Sequence, residues 1–361
     1  MTYDLYKKAA GISMVCLTLL LFSACNSDTV YKRKIEQSGN TYSKENFIAQ
    51  AAAGNLELVE WYLKAGMGVN HRGNKYGGEF IGKTALLMAA RNGHLDIVKL
   101  LIENHAAIEK ETKAFRNIND NGETPLMAAA ERGHLEIVKL LHQKGAKLDR
   151  RGNIQYETAL LVAAKNGQFE VVKYLADQGA NLEIPRLGSK QSIYLSRMHG
   201  KTALHYAVDI KHKEMITYLV KKGADINKPK SDEYTPLMTA LFEGDRDIFN
   251  LLLDLGANIN YQDKSGKSIL MHAILYGGDK NIDKVKQVIA GGANLNLKEN
   301  EWGWTALMFA ANKGFEKTVK LLLEHNADTA IKDVDGQNVV DIAKNSKQDK
   351  ILTLLSQFQK S

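Results

Sequence analysis

Cysteine is nearly missing from this 361-residue chain: Cys16 and Cys25 are the only two. Cys16 sits inside an apolar run that export would remove, so a mature chain keeps Cys25 alone and no disulfide framework is available. No apolar stretch reaches the about 20 residues that a membrane-spanning helix requires, since the longest runs only from Ala9 to Phe22. Metal-ligand spacing is also lacking. His71, His142, His199, His212, His272 and His325 stand apart from cysteines and from paired carboxylates. No glycine-flanked serine or activated cysteine offers a nucleophile. These absences argue against a secreted disulfide scaffold, a metal centre, a cofactor site and an enzyme. Charge of one sign is scarcely in excess: +7, with a pI near 9.0, is modest for this length and does not imply nucleic acid.

What the chain has instead is a period. The phrase TPLMAAAERGHLEIVKLLHQKG at 124–145 is echoed by TALLMAARNGHLDIVKLLIENH at 84–105. Copies open at Thr84, Thr124, Thr158, Thr202, Thr235, Ser268 and Thr305, with weaker ones at Glu45 and Asn338. The steps are 39, 40, 34, 44, 33, 33, 37 and 33 residues, a basal unit near 33 with insertions, which is the pattern of a stacked array. Nine residues into most copies comes a glycine, such as Gly54, Gly93, Gly133 or Gly244, where one helix must stop and the chain reverse. Twenty-one residues in comes a second, as at Gly145, Gly179 and Gly223, with His105 and Asn326 in the same slot of two copies. The second helix is apolar on most sides, as in Leu95, Ile97, Val98, Leu100, Leu101 and Ile102, which predicts cover on more than one face. The first is rich in small residues, as in Ala128, Ala129 and Ala130, which lets neighbours stack closely.

The TPL or TAL opening, the paired helices and the GADIN or GANIN close at 223–227 and 256–260 resemble the ankyrin repeat over roughly nine-tenths of the chain. The resemblance implies an all-α ankyrin-repeat solenoid of about nine helix-turn-helix units with extended, β-hairpin-like fingers. Its repeats fall near 44–83, 84–123, 124–157, 158–201, 202–234, 235–267, 268–304 and 305–337, with a C-terminal cap at 338–361. It departs from the pattern at Lys211 and Lys347, where the first glycine is missing, and at the opening Ser268-Ile269-Leu270-Met271. It also implies that His205, in TALH, hydrogen-bonds within its turn.

Residues 1–24 read as a signal peptide. Lys7 and Lys8 precede the apolar run, and Ser23-Ala24-Cys25 closes it in the order of a secretory signal. FSAC resembles a bacterial lipobox, which implies lipidation at Cys25 and a lipoprotein held on an envelope membrane, facing the periplasm or the exterior. Residues 25–43 are polar without an apolar period and read as a flexible tether.

Two motifs look like chemistry and are better explained by the array. Gly77 to Thr84, GGEFIGKT, fits a phosphate-loop pattern, but no buried strand precedes it, and Gly200-Lys201-Thr202 repeats its ending in another copy. Asp333-Val334-Asp335-Gly336 resembles the start of a calcium loop, yet Lys344 stands where a bidentate glutamate is needed. The irregular fingers are the informative places. Those at 67–83, 106–123, 146–157 and 180–201 sum to +5, whereas the four C-terminal ones sum to −3. The basic group carries Arg72, Lys75, Tyr76, Phe80, Phe115 and Arg116. Arg151, Tyr156, Arg186, Tyr194 and Arg197 continue it, residue types favoured in interface hot spots. A non-catalytic, protein-binding scaffold is expected, with an acidic protein partner at these fingers. An envelope inhibitor or immunity protein neutralising a toxin and an accessory factor supporting an envelope enzyme are the alternatives; no nucleic acid or small-molecule substrate is expected.

Overall fold

A computed structural model describes residues 28–74, 78–112, 122–152, 156–187 and 199–358. The chain divides into two compact units, Met1–Lys190 and Gln191–Ser361. In the first, residues 28–37 form helix α1, followed by four antiparallel pairs: α2 (Lys44–Ala53) with α3 (Leu56–Lys64), α4 (Ala85–Asn92) with α5 (Leu95–Glu103), α6 (Pro125–Arg132) with α7 (Leu135–Gln143), and α8 (Ala159–Lys165) with α9 (Phe169–Asp177). The second unit holds α10 (Ala203–Asp209) with α11 (Lys213–Lys221), α12 (Pro236–Glu243) with α13 (Arg246–Asp254) and α14 (Ile269–Gly277) with α15 (Ile282–Ala290). It ends with α16 (Ala306–Asn312) beside α17 (Glu316–Glu324) and α18 (Val339–Asn345) beside α19 (Asp349–Phe358). Among the described residues there are isolated β-bridges in the fingers and no sheet.

The opening hydroxyl is a helix N-cap. Thr84, Thr124, Thr158, Thr235, Ser268 and Thr305 each accept the backbone N–H three residues on, which satisfies a donor the helix itself leaves unpaired. The weak first copy is capped by Ser43, two residues before the expected opening at Glu45. The small-residue first helix is the enclosed one: all six residues from Ala85 to Ala90 are buried. In α5 only Ile97, Val98 and Leu101 are buried, while Leu95, Leu100 and Ile102 are half-exposed. The expected cover on several faces therefore belongs to the first helix of each pair, because within each unit first helices pack on those of neighbouring repeats, as α4 does between α2 and α6 and α16 between α14 and α18.

Two side-chain positions recur as stitches between neighbouring repeats within each unit. His94 bonds the carbonyl of Ala52 at 2.9 Å and His134 that of Arg91 at 3.0 Å. Gln168 and Gln348 reach the matching carbonyls of Glu131 and Asn312. In the seventh repeat the inserted residues carry the chain through Gly278 to Asn281, and Lys284 takes over, donating to Leu241 and Phe242 at 3.0 and 2.7 Å. The inserted Asp279 accepts the backbone N–H groups of Lys317 and Thr318, tying it to the start of α17. The second position is the polar residue of the repeat close. Asn70, Glu109 and Asp149 accept N–H groups of Ala107, Lys147 and Asn181 one repeat on. Asn227, Asn260 and Asn296 do the same for Asn258, Asn294 and Asp328.

Lys211 and Lys347 take the left-handed angles of the missing glycines, with φ of 59° and 55°, and His105 and Asn326 do so at the second slot. The flexible tether expected over 25–43 is corrected for its described part. From 28 to 37 the chain is helical, Ile35 is fully buried, and Lys34 lies 5.5 Å from the ring centre of Trp61 in α3. Lys32 lies 4.9 Å from that of Tyr42. A terminal repeat must cover its apolar face, and these lysines do it with their stems while keeping their charge in water.

His205 is 1% exposed, and its Nδ1 meets the hydroxyl of Thr202 at 3.0 Å. Burial, with Lys230 and Lys201 nearby, pushes its pKa down from 6.5 to about 3. In the unfolded chain this imidazole takes up a proton below pH 6.5 and in the folded chain it does not, so its contribution is fully present above pH 6.5. It is lost on acidification at up to roughly 1.4 kcal/mol per pH unit, down to about pH 3. Urea unfolding at stepped pH should show His205→Gln losing this part of the slope; parallel curves would contradict the assignment.

Candidate functional site

The fingers and the adjoining ends of the first helices are where the repeats stop being alike. A finger links the close of one repeat to the N-cap of the next, and among the described residues its strands are joined only by isolated bridges. Bridges such as Arg72 with Thr84 and Gly152 with Glu157 close the base. In the second unit a carboxylate holds the tip. Asp333 accepts the N–H groups of Asp335 and Gln337, and Glu299 those of Glu301, Trp302 and Trp304. Burial opposes ionisation of Glu299, but these N–H groups outweigh it and hold its carboxyl below the ordinary carboxylate value. Asp333 thus serves a turn, and Thr84, at the end of the phosphate-loop-like stretch, serves an N-cap. Among the described residues no group of three or more His, Cys, Asp and Glu side chains could hold a metal ion. Nor, among them, is any helix long and apolar enough to cross a membrane.

The residues singled out in the sequence separate on this frame. Lys75, Tyr76, Phe115, Arg116, Tyr194, Arg197 and Cys25 lie outside the described residues. Arg72 is half-buried and donates to the carbonyl of Glu111 on the following finger at 2.7 Å. Phe80 is half-buried on a short 3-10 turn, its carbonyl lying against Gly73. Arg186, expected as a surface contact, is a correction: it is 3% exposed, with its Nε 3.6 Å from the buried carboxylate of Glu157. The rearrangement follows from electrostatics, because a buried glutamate needs a cation beside it. Arg151 and Tyr156 are exposed, Tyr156 with a left-handed φ of 51°. Within the first unit, then, the basic character of the fingers is partly internal: Arg150 also bridges Glu109 and Glu111.

Charge counting overlooked the aromatic surface of the second unit. Tyr234, Phe242 and Tyr276 follow one another at 5.1 and 5.0 Å between ring centres. The ammonium of Lys284 lies 5.6 Å from the ring centre of Phe242 and 5.5 Å from that of Tyr276, and burial lowers its pKa. Trp302, Trp304 and Phe309 form a second run at 5.5 and 5.3 Å. Tyr276 is 61% exposed and Trp302 44%, although both are large apolar rings. The signal was legible in the phrase EWGWTAL, whose two tryptophans sit where most other copies carry polar residues.

Comparison with known proteins agrees with the repeat geometry. A family profile described as ankyrin repeats (3 copies) matches residues 46–152, 107–186, 149–230, 186–263 and 270–360. Ankyrin repeat and SOCS box protein 6 of Homo sapiens is 32% identical over 148 residues, covering 35% of this chain and 35% of that protein. The putative ankyrin repeat protein FPV223 of fowlpox virus is 31% identical over 128 residues, covering 36% of this chain and 86% of that one. The match thus spans about a third of the length of the SOCS box relatives. Among solved structures, the ankyrin repeat domain of Bcl-3 is similar with a TM-score of 0.54 and 27% identity, covering 65% of this chain and 99% of that one.

Proposed function

Because this chain belongs to the ankyrin-repeat family, we propose that it is a non-catalytic protein-binding scaffold, held on a bacterial envelope membrane by acylation of Cys25 and presenting its fingers to a protein partner. One observation carries the binding half. The polar groups that define each repeat, the N-cap hydroxyls, the inter-helix His or Gln and the Asn or Asp of the close, are occupied by bonds within or between repeats. What stays outward is what varies: Arg151 and Tyr156 in one unit, Tyr276 and Trp302 in the other. Such a surface supplies complementarity, and a lipid anchor would raise the effective concentration of partner and scaffold on one membrane. The anchoring half rests on the order of charged, apolar and small residues before Cys25.

Metabolic labelling with a clickable fatty acid should mark the wild-type chain in membranes, and Cys25→Ala should abolish the label and release the protein to the soluble fraction. A labelled, membrane-bound Cys25→Ala chain would remove the anchor from this account.

A further inference from the structure

Between the fingers and first helices of the seventh to ninth repeats lies a cleft of about 550 Å³. Trp302, Trp304, Phe309, Leu275 and Ile342 supply its apolar lining. Leu275 is 38% exposed on a helix whose inward residues are fully closed, and Trp302 is 44% exposed. Apolar side chains grouped in a recess and left open to water mark a binding surface rather than a scattering of surface residues.

The polar groups of the cleft are largely occupied already. Asp333 accepts the indole N–H of Trp304 at 3.2 Å along with the N–H groups of Asp335 and Gln337. Ser346 donates to Asn312, and Asn345 to Gln337. Two ammonium groups are left. Lys313, exposed at the end of α16, and Lys267 on the finger before α14 both line the cleft. Among the described residues neither is ion-paired with a carboxylate within 4 Å; Lys267 bonds the hydroxyl of Ser265 at 3.1 Å, and its charge also favours the ionised carboxylate of Glu299. Asp335 is the outward carboxylate of the lining. It disfavours a uniformly acidic occupant but not a single carboxylate directed at the lysines.

We propose that this cleft docks an extended segment of a partner protein that carries a bulky apolar side chain with one carboxylate beside it. The apolar group lies against Trp302 and Leu275, and the carboxylate pairs with Lys313 and Lys267. The proposal rests on the scaffold reading and narrows it to one place and one chemistry. Aromatic anchors in a partly desolvated recess carry most of the energy of such contacts, and the lysines set the register.

The test uses the full chain and three pools of short fluorescein-labelled peptides, read by anisotropy. In one pool a Leu, Phe or Met stands beside Glu, in the second the same residues stand beside Lys, and in the third Glu stands beside Ser. Saturable binding is expected for the first pool alone, weakened at least tenfold by Lys313→Glu and lost in Trp302→Ala. Lys313 is exposed, so its reversal leaves the fold intact and separates loss of binding from loss of structure. Equal binding of the second or third pool, binding indifferent to both substitutions, or no binding at all would overturn the proposal. In the last case a partner that still cross-links through Arg151 would leave the scaffold reading standing while removing this cleft from it.

Discussion

Replacing Glu157 with leucine is expected to cost about 3–5 kcal/mol of folding free energy, because it strands a buried guanidinium. Glu157 and Arg186 are 2% and 3% exposed at their side chains, with Nε and Oε1 3.6 Å apart, and Lys165 approaches the same carboxylate at 3.5 Å from a half-exposed position. Removing the carboxylate takes the Glu157 counter-charge away from a guanidinium that is 3% exposed and cannot lose its proton to escape. The double replacement Glu157→Leu with Arg186→Leu removes both charges and should recover most of the loss, since apolar substitution of a whole buried pair is often neutral. Urea unfolding of the two single variants and the double variant closes a cycle whose coupling should exceed about 2 kcal/mol. Additive losses would mean that Arg186 finds water or another partner and is not a strut for its finger.

Gly93→Ala should lose about 3–4 kcal/mol, whereas Gly145→Ala should lose only about 1–2. Both glycines have left-handed angles, with φ of 84° and 95°. A β-carbon at Gly145 would meet nothing within 4 Å, so that site reports backbone strain alone. At Gly93 it would lie 2.7 Å from Cε1 of His134. That ring is held by its bond to the carbonyl of Arg91, the residue two before the glycine. Relieving the clash breaks the stitch between two repeats and leaves a helix-terminal carbonyl unpaired. Thermal or urea unfolding of the pair measures the difference. Equal losses would show that His134 yields freely and that the inter-repeat bond contributes little.

The same two glycines show how much of the fold was legible before the coordinates. Position and spacing were enough to place the reversal at Gly93 and the close at Gly145, and His94 and His134 follow the first glycine in the repeated phrase. Their partner, a carbonyl one repeat back, could not be read from spacing. It depends on how tightly two first helices approach. The helix at 28–37 was missed because a single buried residue, Ile35, gives no periodic signal, and two of the rings that its lysines meet, Tyr42 and Trp61, lie outside it.

The candidate site was less legible than the fold. Counting arginines in long fingers could not separate Arg151, which is exposed, from Arg186, which is buried against a glutamate 29 positions earlier. Burial of a loop side chain depends on the path of the insertion. The tryptophans at 302 and 304 were plain in the text but carried no charge and so escaped that count. Their exposure follows from the finger turn held by Glu299, whose N–H partners include both of them.

The central claim is that the stack binds a protein through its finger side. A photo-reactive amino acid placed in turn at Arg151, Trp302 and Lys99 in the native host tests it most directly, Lys99 being exposed on the second helix α5. A shared protein adduct from Trp302 or Arg151, and none from Lys99, is the expected result. Adducts from Lys99 alone, or from no position, would contradict it.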